Sequence, residues 1–239
     1  HYRTRTHSTL DPCANVKLPR NDPVEMKYFS PDEVDRIITE ATSVNANGIP
    51  YHRLGSAIIV LLYTGLRVSE FLALTWDDVD FDSKVVRITK NAVQVKNKNA
   101  APDEPKYQML VQNSTKTKSG NRIIPLSQKA LDAFADLKKI TGDEQYATSV
   151  NHNLLPPYQI NKMFNKVLDN AGINKDGQRF GVHALRHTFA TMLFRNGCDV
   201  KIVSELLGHS SVKITQDLYI HVLQEQKVKA IQNFDQYVD

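Results

Sequence analysis

The chain has 239 residues, of which 41% are hydrophobic and 8% aromatic, enough for one generous domain or two small ones with a packed core. With 30 Lys and Arg against 26 Asp and Glu, its net charge of +4 permits nucleic-acid binding without arguing for it. Cys13 and Cys198 are the only cysteines, too few for a disulfide framework or a thiolate metal cage, which points to a reducing cytoplasm; the longest apolar run, Ala57 to Tyr63, is too short to cross a bilayer.

The chain opens on His1-Tyr2-Arg3, without a methionine or the apolar core of a signal peptide. Residues 1–27, with Pro12, Pro19 and Pro23, read as an extended connector from an upstream domain. Ser30-Pro31-Asp32-Glu33 then starts a helix: serine caps, proline takes the first helical position and Glu33 completes a capping box, with Phe29 and Val34 as the hydrophobic staple. Leu54 to Gly65 reads as a buried helix, and a second helix is expected from Arg67 to about Trp76. Between Asp82 and Leu126, β-rich pieces at 85–88, 93–95, 107–111 and 122–124 predict one small antiparallel sheet. Helical periodicity returns at Ala130, Leu131, Phe134 and Leu137, and at Ile160 to Leu168 before Gly172. A short amphipathic helix holds Ile202, Val203, Leu206 and Leu207, placing His209 in a tight turn, and an apolar stripe through Val228, Ile231, Phe234 and Val238 marks a helix over 224–239. The expected fold is α+β, mostly helical, with a small sheet inserted between helices.

The last quarter carries the chemistry. His183 and Arg186, three apart on a helix, share a face and can reach one small anion together. Arg186 offers a planar fork for two phosphate oxygens; His183 can donate to a third or handle a proton near neutral pH. Taken singly, this pair is a capping or core histidine beside a surface arginine, His209 an idle loop histidine and Tyr219 a packed tyrosine. His183 and His187 also stand at the spacing of two zinc ligands on one helical face, but Ala184 occupies the place where a helical zinc hydrolase carries a glutamate.

The set extends upstream to Thr64-Gly65-Leu66-Arg67-Val68-Ser69-Glu70 and Thr117-Lys118-Ser119-Gly120. From about Tyr28 to Val222 the chain resembles the catalytic domain of the tyrosine recombinases, the integrases of phages and of integrative and conjugative elements. The resemblance implies the tyrosine recombinase catalytic fold, with Arg67, Lys118, His183, Arg186 and His209 around Tyr219 as nucleophile; Glu70, one helical turn from Arg67, is placed either to orient that guanidinium or to serve only as a helix-surface partner. The resemblance further implies a covalent phosphotyrosine on the DNA 3′-phosphate and no metal or ATP. Its other implications are double-stranded DNA as partner, a homo-tetramer on two duplexes, accessory DNA-bending or excision factors, and a segment 223–239 exchanged between protomers. Lys96, Lys98, Lys116 and Arg122 are the expected DNA-backbone contacts, although the lysines at the tip of the long hairpin between Val93 and Tyr107 serve equally to keep a loop soluble. A type IB topoisomerase-like strand transferase, a DNA-binding protein without catalysis and a metal hydrolase are the rival readings.

Overall fold

A computed structural model describes residues 28–98, 106–113, 120–174 and 179–234. The connector assigned to residues 1–27, and Lys116 and Lys118, lie outside the described residues.

Helix α1 (Pro31–Ala41) begins as its sequence dictates: Ser30 Oγ accepts from the Glu33 amide at 3.3 Å and Glu33 Oε2 accepts from the Ser30 amide at 2.8 Å. Helix α2 (Gly55–Thr64) is apolar on all sides because it is the central rod of the core, packed against α1, α4 (Gln128–Thr141) and α6 (His183–Arg195). Each of its buried large side chains, such as Ile58 and Leu61, contributes about 1.5–3 kcal/mol by leaving water. The rod ends at Gly65, whose φ of 63° turns the chain left-handed, a conformation that a side chain disfavours.

Helix α3 (Val68–Leu72) stops well short of the expected Trp76. Its end is captured from outside: the Leu72 carbonyl accepts from Thr148 Oγ1 at 3.3 Å and the Leu74 carbonyl from the Ala147 amide at 2.8 Å. Thr75 then opens a separate 3₁₀ turn, Trp76–Asp78, with Asp78 Oδ2 accepting from both its amide and its hydroxyl. The strands fall into two antiparallel sheets instead of one. In the first, β2 (Val85–Ile88) lies between β1 (Val79–Asp80) and β5 (Arg122–Pro125); in the second, β3 (Lys90–Lys96) pairs with β4 (Tyr107–Asn113) from Lys90↔Asn113 to Lys96↔Tyr107.

The main core joins α1–α4 and the first sheet to α5 (Pro157–Asn170) and the start of α6. A second cluster, built on Ala190, Phe194, Val203, Leu207, Leu218 and Val222, ties the later part of α6 to α7 (Val200–Leu207) and α8 (Val212–Phe234). Helix α8, with neither glycine nor proline between 212 and 234, runs unbroken through Tyr219 and into the segment read as a terminal helix, of which residues 235–239 lie outside the described residues. No helix among the described residues is long and apolar enough to cross a membrane.

Candidate active site

Three arginines from three elements meet at the C-terminus of α7. Asp199 caps the start of this helix, accepting from the Lys201 amide at 2.7 Å, and Gly208 ends it with a φ of 64°. The last carbonyls of a helix lack intrahelical donors and carry the negative end of its dipole. Here three successive carbonyls each take a guanidinium: Leu206 O accepts from Arg122 Nε at 2.7 Å, Leu207 O from Arg186 Nη2 at 2.6 Å, and Gly208 O from Arg67 Nη2 at 3.1 Å.

Arg186, on the first turn of α6, is only 2% exposed, and its Nη1 donates to Gly65 O at 2.7 Å. The turn at Gly65 thus presents a carbonyl to one arginine and, two residues later, sets another: Arg67 immediately precedes α3. A Cβ at Gly65 would overlap the Phe189 ring, so the close approach of this turn to α6 also depends on glycine. Burial, reinforced by the charges of Arg67 and Arg122 and opposed by Glu70, lowers the Arg186 pKa to about 9, which leaves it charged at neutral pH.

Glu70 is the carboxylate in this cluster. It accepts from the Arg67 amide at 2.9 Å and Arg67 Nη1 at 2.7 Å, and from Arg122 through Nη1 at 3.1 Å and Nη2 at 2.8 Å. Burial alone would raise its pKa; the hydrogen bonds and charges of Arg122 and Arg67 outweigh that and hold it below the ordinary value. Three guanidiniums around one carboxylate leave a net positive site, and Arg67, with 38% of its side chain exposed, carries that charge to the surface.

Three histidines surround these cations and are all biased towards the neutral form. His183 is exposed at the start of α6; partial desolvation, then Arg186 and Arg67, lower its pKa. His187 stacks edge-on against it, with ring centroids 4.7 Å apart, and desolvation followed by His183 and Arg186 brings its pKa to about 4. His209, just after Gly208, reaches about 4 by desolvation and by the arginines, Arg186 first. Its Nδ1 lies 2.8 Å from the hydroxyl of Thr215, a fully buried residue of α8; when that hydroxyl donates, Nε2 carries the proton and can donate outward. Among the described residues no three His, Cys, Asp or Glu side chains are grouped to hold a metal ion.

Tyr219 stands on α8, half-buried, its ring 5.1 Å from that of Phe194 at an interplanar angle of 63°. Phe194 lies eight residues beyond Arg186 on α6, about 12 Å along the axis. The structure therefore gathers Arg67, Glu70 and Arg186 at the end of α7, places His183 and His209 where the charges of Arg67 and Arg186 act on them, and sets Tyr219 on the adjoining helix.

Lys96 and Lys98 are exposed, Lys96 about 20 Å along β3 from Lys90. Arg122 requires a correction. Expected to grip DNA, it is 7% exposed and all three of its guanidinium nitrogens are bonded within the protein. The strand pattern held the signal: with Ile123 59% and Ile124 1% exposed, period-two alternation puts Arg122 on the inward face. Thr215 and Phe194 are partners that no motif marked, and His187, weighed in the sequence only as a zinc ligand, is instead a ring partner of His183.

Residues 27–226 match the phage integrase family. At 30% identity, a tyrosine recombinase XerC-like protein of Caldanaerobacter subterraneus subsp. tengcongensis matches 94% of this chain and 59% of its own length. The tyrosine recombinase XerD of Bifidobacterium longum is 28% identical over 92% of this chain and 66% of its own. Among solved structures, an integrase of the Tn1549 transposon in complex with circular-intermediate DNA superposes with a TM-score of 0.66 at 22% identity, over 84% of this chain and 63% of that one. The XerA recombinase gives 0.63 at 26% identity, over 89% and 66%. The fold is that of a tyrosine recombinase catalytic domain. By the extent of the family match, the chain belongs to the phage integrase family, and it spans about three fifths to two thirds of the length of the curated relatives it matches.

Proposed function

We propose that the protein is a site-specific recombinase that cleaves and rejoins duplex DNA through a covalent 3′-phosphotyrosine, in the integration and excision of a mobile element. The observation that carries this reading is the convergence of Arg67 and Arg186, with three neutral-biased histidines beside them, on one electropositive site. The recombinase relatives support the reaction class, and the family match supports the mobile-element setting.

In this reaction the Tyr219 oxygen attacks the scissile phosphorus, the P–O5′ bond breaks, and the phosphate remains on the tyrosine while a 5′-hydroxyl leaves. A free phenol ionises near ~10, so attack at neutral pH calls for a proton acceptor, and neutral His183 is that base. Arg67 and Arg186 bind the non-bridging oxygens and stabilise the charge that builds in the pentacoordinate transition state. His209 donates a further hydrogen bond, and Lys118 protonates the leaving 5′-oxygen. Because the phosphoester energy is kept in the tyrosine link, religation runs without ATP, and two arginines supply the charge that a metal ion supplies elsewhere. Lys96, Lys98 and Lys116 contact the DNA backbone, a homo-tetramer assembles on two duplexes with the segment 223–239 passed between neighbours, and accessory bending or excision factors set direction.

The test incubates the protein in EDTA with nicked duplexes carrying randomised sequence and candidate element ends, and scores SDS-resistant adducts. A 3′-linked adduct that disappears with Tyr219→Phe is expected. An adduct that survives Tyr219→Phe, or one lost in EDTA, overturns the mechanism; strand transfer confined to one duplex, with no exchange between two, favours a topoisomerase.

A further inference from the structure

Arg122 makes no use of its charge at the surface, yet it completes the hydrogen bonding of the site's carboxylate. An ionised carboxylate offers about four lone-pair directions. At Glu70 they are filled two and two: Arg67 supplies its amide to Oε2 and Nη1 to Oε1, and Arg122 supplies Nη2 to Oε2 and Nη1 to Oε1. Arg67 thus makes one side-chain bond to Glu70, and its side chain, 38% exposed, has its other terminal nitrogen directed by Gly208 O. Arg122 Nε meanwhile holds Leu206 O, one and two residues before the acceptors of Arg186 and Arg67 and three before His209.

We propose that Arg122 is a positioning residue: by occupying Glu70 it prevents that carboxylate from closing on Arg67, and by holding the end of α7 it sets His209 and the carbonyls that aim Arg67 and Arg186. Without Arg122, the freed Glu70 oxygens draw Arg67 into a bidentate pair, turned away from phosphate. This inference rests on the recombinase reading for its consequence in catalysis, but not for the geometry it describes.

The experiment compares wild type with Arg122→Met, Arg122→Lys and the double variant Arg122→Met/Glu70→Gln, which removes both charges and keeps a folded comparison should the single variant unfold. Adduct formation is timed at saturating nicked duplex, duplex Kd is measured against salt, and the Nε–H resonances of ¹⁵N-labelled arginines are followed without DNA. In Arg122→Met that remains folded, adduct formation falls on the order of 10²-fold, the cost of a misplaced group. Kd stays within about threefold with its salt slope unchanged. The Arg67 resonance moves, and returns towards its wild-type position in the double variant; Arg122→Lys, which keeps the charge but not the fork, falls in between. A weaker Kd with a shallower salt slope and an unchanged rate at saturation would show a DNA contact instead. Loss of rate in proportion to the unfolded fraction would show plain stabilisation, and either outcome overturns the proposal. If the wild type forms no adduct, the recombinase reading fails separately, and an Arg67 resonance unmoved by Arg122→Met in folded protein overturns the positioning role on its own.

Discussion

Arg186 and Tyr219 stand on neighbouring helices but are held by different means. Arg186 is buried, with both terminal nitrogens on backbone carbonyls from two other elements, and Arg67, Arg122 and Glu70 extend the same network. Tyr219 is held by ring packing on Phe194 in the smaller core cluster, on a helix that leaves Ile214 54%, Ile220 54% and Ile231 69% exposed. Directional, charge-assisted bonds fix a guanidinium to a few tenths of an ångström, whereas an aromatic contact tolerates sliding and tilting. On the proposed reaction the division is apt: transition-state charge is best met by dipoles already in place, while the nucleophile must be delivered to phosphorus and withdrawn again.

The sharpest way to break that contrast is at Glu70. Removing one member of a buried, hydrogen-bonded ion pair costs about 3–5 kcal/mol. Urea unfolding of Glu70→Gln, whose partner Arg122 is as buried as Glu70 itself, is expected to show a loss of that order, with α6 and α7 the first elements to lose hydrogen-exchange protection.

Lowering the pH tests the same region more gently. His187 and His209 take protons only near 4 in the folded protein but near ~6.5 in the unfolded chain. Between those values the unfolded chain binds more protons, so stability falls as pH drops through the window, by at most ~1.4 kcal/mol per pH unit for each histidine and less for half-exposed rings. Glu70, whose folded pKa is depressed, stabilises above its unfolded value and loses that contribution only as pH falls further, through the folded one. Urea midpoints across a pH series should show the decline, and His187→Gln should flatten it.

The smallest effect belongs to the tyrosine side. Phe194→Leu keeps an apolar filler but removes the edge-to-face contact, and should cost about 1 kcal/mol. Amides of α8 should then exchange faster while those around Arg186 are unaffected; equal acceleration in both regions would dissolve the distinction.

Where a signal is local, the residues could be read directly. The Ser30–Glu33 cap, the all-apolar rod of α2 and the left-handed glycines at 65, 172 and 208 follow from neighbours a few positions away. So does the placing of His183 and Arg186 on one helical turn. The errors arose where a distant segment intervened. Helix α3 ends early because the chain at 147–148 takes the Leu72 and Leu74 carbonyls, and Arg122 turns inward because Glu70 and the Leu206 carbonyl meet it there.

By itself, then, the sequence determined most of the helices and their caps, the ordered set of motif residues and their resemblance to the tyrosine recombinases, since helix periodicity, caps and spacing act within a turn or two of the chain. Only the tertiary structure decided that three arginines share the carbonyl end of one eight-residue helix. It likewise decided that Arg122 faces Glu70 across 52 positions of sequence and not the solvent. A basic side chain reads the same whether it meets DNA or a buried carboxylate; which it meets is fixed by the face of the strand that carries it and by what packs there.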